Sequence, residues 1–132
     1  STVQESANAG CLVVGNQQLL LVQGLDGKVS IPGGSAKNGE SAACTAFRET
    51  WEETALHTIP IQRARRWPNG FVMFECQLVS NPNDAAILRP AEIKQVLWLN
   101  TQEFSLYKWR FPNQQHWLKN WLTDAKTNKP NH

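Results

Sequence analysis

Four charged residues crowded into six positions constrain this chain more than any other feature: Arg48, Glu49, Glu52 and Glu53 in the run Arg-Glu-Thr-Trp-Glu-Glu. On a helix turning about 100° per residue they share one arc of roughly 140°. Ala43, Ala46, Phe47, Thr50, Trp51 and Thr54 fill most of the remainder, which predicts a helix docking a mostly apolar face on a sheet. Carboxylates at i, i+3 and i+4 repel one another unless a cation sits among them. Their hard oxygens are the ligands that Mg²⁺ or Mn²⁺ takes, with water or phosphate completing the shell. The alternative for this cluster alone is a solvated acidic face with an Arg48–Glu52 pair worth a few tenths of a kcal/mol.

The sequence ahead of the cluster favours the metal reading. Ile31-Pro32-Gly33-Gly34 is followed by Glu40 six residues after Gly34, and by Arg48 eight residues later. Gly34, Glu40, Arg48, Glu49, Glu52, Glu53 and Leu56 together resemble the signature box of the Nudix hydrolases, G-x5-E-x7-R-E-U-x-E-E-x-G-U with U aliphatic. Two positions depart from it: Thr50 replaces an aliphatic residue and Ala55 the closing glycine. That glycine lets a helix end through a left-handed residue, where a side chain costs about 1–2 kcal/mol. Thr50 falls on the buried arc, where its hydroxyl needs a partner such as a backbone carbonyl one turn back.

The resemblance implies an α/β (α+β) fold, an α-β-α sandwich with a mixed central sheet. It also implies metal-dependent hydrolysis of a diphosphate linkage in a nucleoside diphosphate joined to a moiety X. Glu49 and Glu53 would then be the principal ligands of Mg²⁺ or Mn²⁺, with Glu52 a third ligand or the base and the carbonyl of Gly33 also coordinating. Arg48 and Glu40 would orient the carboxylates, Gly34 would support the loop, and Glu92, just before a strand, would assist with metal or base. The alternative is a nucleotide-binding or regulatory domain of the same family with weak catalysis.

Length and charge bound the remaining choices. At 132 residues the chain reads as one domain, residues 1–132, with one core. A formal charge of +2 is too small to support nucleic-acid duplex binding or an anionic membrane surface, so the expected partner is a small nucleotide or diphosphate, taken by a monomer or homodimer. No run approaches the ~18 apolar residues of a membrane helix. Cys11, Cys44 and Cys76 lack a C-x-x-C spacing and read as small apolar residues of a reducing, cytoplasmic compartment; a periplasmic chain freed of a signal peptide is the alternative.

Turn signals and periodicity lay out the elements. Residues 10–14 and 17–23 read as paired strands around Gly15-Asn16, and 28–31 as a short strand. Ser41 is a candidate N-cap for a helix reaching Ala55. Strands are expected at 57–66 and 71–80 around Pro68-Asn69-Gly70, with Val72, Phe74, Cys76 and Leu78 on one buried face, and at 93–99. Pro112 and Asn113 open a last helix whose Trp117, Leu118, Trp121, Leu122 and Ala125 repeat at core spacing, between polar ends at 1–9 and 126–132. Two basic-aromatic patches are candidates for stacking a base and holding a phosphate, Arg63, Arg65, Arg66 and Trp67 in one, Tyr107, Lys108, Trp109, Arg110 and Phe111 in the other; the alternative for each is a snorkelling surface cluster. His57, His116 and His132 show no nucleophilic-triad pattern.

Overall fold

The computed structural model describes residues 5–127; residues 1–4 and 128–132, in the expected polar ends, and with them His132, lie outside the described residues. Strands β1 (Ala9–Leu12), β5 (Gly33–Gly34), β6 (Thr58–Arg66) and β7 (Val72–Leu78) form one sheet in the order β5-β1-β7-β6. It is mixed, because β1 runs parallel to β7 while β5 and β6 pair antiparallel. The second sheet is antiparallel: β3 (Gln18–Gly24) lies between β8 (Ile93–Leu99) on one side and β2 (Val14–Gly15) and β4 (Val29–Ser30) on the other. Helix α1 spans Ala42–Thr54 and α2 Pro112–Thr127.

Period-two alternation in the strands divides the core into two layers. Leu12, Leu19, Leu21 and Met73 pack with Leu118 and Leu122 of α2, whereas Cys11, Leu20, Val72 and Cys76 pack with Ala42 and Ala46 of α1. This is the expected sandwich, with a helix on each side. Burying a Leu or Met side chain stabilises the fold by about 1.5–3 kcal/mol, and the strands do so on both faces. Met73 is therefore as buried as Val72, where the sequence pattern suggested a single buried face on β7.

Three local expectations change. The turn at Asn16 and Gln17, both at positive φ (51° and 65°), joins β2 to β3. The preceding strand β1 pairs instead with β5 and β7, so the chain crosses between sheets at the buried Val13. Ala9 is fully buried in β1 rather than loosely held. On α1 the buried stripe is Ala42, Thr45, Ala46, Glu49, Thr50 and Thr54, of which the alanines and threonines are small enough to bring the helix close to the sheet, while Phe47 and Trp51 are partly exposed beside His57.

The cysteines also depart from the reduced reading. Cys11 and Cys76 form a disulfide with Cα atoms 5.5 Å apart, and Cys44 is exposed. The parallel register sets Cys11 opposite Phe74, so Cys76 is two residues further on the same face of the adjacent strand. Their separation of 65 residues hides that adjacency in the sequence.

Candidate active site

Helix α1 starts at Ser41, whose hydroxyl accepts from the Cys44 amide at 3.2 Å. It ends at Ala55, which is left-handed (φ 64°, ψ 11°) and donates its N–H to Trp51 O at 2.7 Å. The helix thus closes in the geometry that usually calls for glycine, with a Cβ present. Thr50 lacks the expected bond: its buried hydroxyl has no partner among the described residues. Its own carbonyl instead accepts from the Thr54 hydroxyl at 2.6 Å, and that hydroxyl takes the Leu56 N–H at 3.1 Å.

Arg48 is the hub of the charged face. Its Nε and Nη2 grip Glu40 at 2.8 and 2.9 Å, its Nη1 donates to Glu49 at 2.7 Å and Glu52 at 3.1 Å, and Nη2 also reaches the Ser35 carbonyl at 2.9 Å. The bidentate grip holds the Glu40 carboxyl down at about 2, helped by the Lys37 N–H and the Thr45 hydroxyl. The same contacts raise Arg48 further above its ordinary range.

Glu53 is held differently. Its Oε1 accepts from the Gly33 N–H at 2.8 Å, which ties α1 to β5. Burial is the main force that pushes this carboxyl up to about 7; Glu49 and Glu92 add to it, and the Gly33 N–H and Arg110 oppose it. Glycine is required on the strand side of the contact. A Cβ on Gly34 would run into the Glu49 carboxylate, and one on Gly33 would lie 2.7 Å from Ala9 O. Gly10, opposite Gly33 in the register, is equally crowded, by Pro32 O and the Phe71 ring; it belongs to this glycine layer although it lies outside the box.

Gly33, Gly34, Glu49, Glu53 and Glu92 line one cavity of about 530 Å³, together with Arg89 and Arg110. Glu52 is turned to Arg48 and Arg89 instead. Arg89 had no part in the sequence reading, yet its Nη2 pairs with Glu52 and lies 3.5 Å from Glu49, while its Nη1 lies 3.7 Å from Glu92. It sits in the loop after the 3₁₀ turn Pro82–Asp84, about 40 residues from Glu49 and Glu52, where no spacing rule links it to them.

Among the described residues no three carboxylate, imidazole or thiol groups stand converged as a ready metal site. The reason is visible in the pairings: arginines hold Glu49 and Glu52, and a backbone N–H holds Glu53. The donor set still suits a hard divalent cation. Glu49, Glu53 and Glu92 line one cavity with Gly33, so carboxylate oxygens and a glycine backbone are available to it together.

Of the residues expected to meet substrate, Arg110 reaches the cavity. Trp67 and Trp109 are core residues, 5% and 6% exposed, and the Trp109 indole donates to Phe104 O at 2.8 Å. Arg65 stacks on Trp67 at 3.8 Å, and Arg63 pairs with Glu5 at 3.8 Å, both away from the cavity lining.

The NUDIX domain family model matches residues 5–122. The chain belongs to the NUDIX family. Solved structures of similar fold include a NUDIX hydrolase from Nitrosomonas europaea (20% identity, 98% of this chain and 78% of that one, TM-score 0.77). An ADP-ribose pyrophosphatase from Streptococcus suis is similar at 17% identity over 95% and 94% of the two chains, TM-score 0.73. A UDP-X diphosphatase is similar at 16% identity; this chain is covered over 96% and spans 66% of that protein, TM-score 0.73. No curated protein sequence matches the chain significantly. These identities carry the NUDIX fold to this chain and leave its substrate to the site. Among the described residues no helix is long and apolar enough to cross a membrane.

Proposed function

We propose that the chain is a pyrophosphohydrolase that cleaves the diphosphate linkage of a nucleoside diphosphate derivative with Mg²⁺ or Mn²⁺. The observation that carries this reading is the juxtaposition of Glu49, Glu53 and Glu92 with Arg89 and Arg110 around one cavity floored by Gly33 and Gly34. Negative groups for a cation and positive groups for phosphate thus line the same cavity.

Glu49, Glu53 and the Gly33 carbonyl would hold the cation, with Glu52 joining when Arg89 lets go. When bound, the cation would withdraw charge from the phosphoryl oxygens and lower the pKa of a water. Arg48 keeps Glu49 and Glu52 oriented through charge-assisted bonds, and Glu40 fixes Arg48 from behind. Arg110 and a released Arg89 would take the diphosphate oxygens, since a guanidinium fork matches them. Glu92 or Glu52 would accept the proton of the attacking water.

A second reading, a nucleotide-binding domain with little turnover, draws on Arg89, which already neutralises two of the box carboxylates. One experiment separates the two: ADP-ribose, UDP- and GDP-sugars, nucleoside triphosphates and dinucleoside polyphosphates are incubated with Mg²⁺ or EDTA, and products are identified by mass. The proposal expects a nucleoside monophosphate as product, with Mg²⁺ only. Binding without products supports the second reading, and equal rates in EDTA remove the metal from the account. The Cys11–Cys76 disulfide favours the periplasmic alternative, since such bonds persist in oxidising compartments.

A further inference from the structure

Beside the acidic cavity, across Gly33 and Gly34, lies a second cavity of about 180 Å³ that the motif says nothing about. Gln114, near the start of α2, lines it and is only 5% exposed. Its backbone N–H is bonded to Phe111 O, but among the described residues its side-chain amide has no partner. With no protein partner and a place on the cavity lining, that amide is free to bond a ligand held there. Phe71 and Phe111 supply ring faces in the same cavity, and the Arg110 guanidinium lies 5.1 Å from the Phe111 centroid.

We infer that this cavity holds the nucleobase of the substrate, and that it takes a base with exocyclic carbonyl oxygens, guanine or uracil, in preference to adenine. The inference rests on the pyrophosphohydrolase reading for its placement: Gly33, Gly34 and Arg110 line both cavities, so a base here leaves its diphosphate among Glu49, Glu53 and Arg110. Flat apolar walls suit any base; the polar groups discriminate. The Asn8 carbonyl oxygen is taken by the Ala36 N–H at 3.3 Å and that of Asn69 by the Phe71 N–H at 3.0 Å. Both amides are left with N–H groups to give. Arg110 adds a further donor to the same lining. Guanine O6 and uracil O2 and O4 accept such donors, whereas adenine presents an amino group at the equivalent edge.

The test uses the full chain and two variants, Gln114→Leu and Phe111→Ala; the second is at the surface, 37% exposed, and guards against a folding defect in the first. UMP, GMP and AMP are titrated calorimetrically, and kcat and KM are compared for UDP-, GDP- and ADP-linked sugars with Mg²⁺. The expected result is UMP or GMP bound at least about tenfold tighter than AMP. Each substitution should weaken that binding about tenfold, and raise KM for the matching sugar more than it lowers kcat. Binding of AMP as tight as of UMP and GMP, no binding of any of the three, or affinities unmoved in a folded variant overturns the inference. The expected binding order without turnover of any sugar would uphold the base site and sink the pyrophosphohydrolase reading instead.

Discussion

The two walls of the cleft are built on opposite plans. On the α1 wall, Glu40, Arg48, Glu49, Glu52 and Glu53 come from 14 consecutive residues, and the bonds that hold them are mostly to one another. On the opposite wall, Asn8, Asn69, Phe71, Arg110 and Gln114 come from three separate segments that only the folded sheet brings together. Dense mutual bonding fixes a constellation to the tolerance that chemistry needs. A wall of loop residues with a spare amide is suited to selecting what the chemistry acts on. On the proposed function, rate would rest on one wall and choice of substrate on the other.

The largest effect should come from the α1 wall. Glu53→Gln keeps the side-chain shape and removes charge from the proposed cation site, and turnover should fall at least about 10²-fold. A rate near wild type would show that Glu53 is only a buried structural acid. The same variant sharpens the pH dependence of the metal-free fold. The Glu53 carboxyl sits at about 7, against an ordinary value of 4.5, so between those values the folded chain holds a proton that the unfolded chain has released. Stability should accordingly fall as pH rises from 4.5 to 7 and then level off. Melting temperatures across that range should lose this decline in Glu53→Gln. Glu40 has the opposite sign in a lower window, stabilising above 4.5 and ceasing to do so as pH falls towards 2.

A smaller effect is expected where the two walls meet. Arg89 stands among the carboxylates that would hold the cation, so Arg89→Gln should bind Mn²⁺ about five- to tenfold more tightly in a calorimetric titration. KM should rise at the same time, because the released guanidinium no longer meets phosphate. Weaker Mn²⁺ binding would mean that Arg89 organises the carboxylates and does not compete for them.

The smallest effects concern the two departures from the box, and both are confined to stability. Thr50→Val removes a buried hydroxyl without a partner and should stabilise the fold by about 1 kcal/mol. Ala55→Gly relieves a left-handed alanine and should add about as much. Chemical denaturation reads both; a clear loss on either would show that the helix end relies on the side chain it has.

How much could be read beforehand follows the same division. The α1 wall was legible because helical periodicity converts spacing into geometry: Ser41 as cap, the end near Ala55 and the charged arc all rest on contacts within four residues. The α2 stripe was legible for the same reason, with Leu118 and Leu122 fully buried. The opposite wall was legible only in Arg110 and Phe111, which line its cavity. The expected aromatic contacts, Trp67 and Trp109, match its composition, but long-range packing buries both in the core. Gln114, Phe71 and Arg89 carry no local pattern, and they reach the cleft through strand order and loop path. The β1 pairing and the Cys11–Cys76 bond were hidden likewise, because a parallel β1–β7 ladder joins segments with no turn between them to announce it.

The division of labour is tested most directly by kinetics of Glu53→Gln and Gln114→Leu on one and the same nucleoside diphosphate sugar, with saturating Mg²⁺. The account predicts that Glu53→Gln loses kcat by at least about 10²-fold with KM little moved, and that Gln114→Leu raises KM about tenfold with the smaller change in kcat. A loss of kcat in Gln114→Leu as deep as in Glu53→Gln, or a Glu53→Gln whose defect is confined to KM, would contradict it.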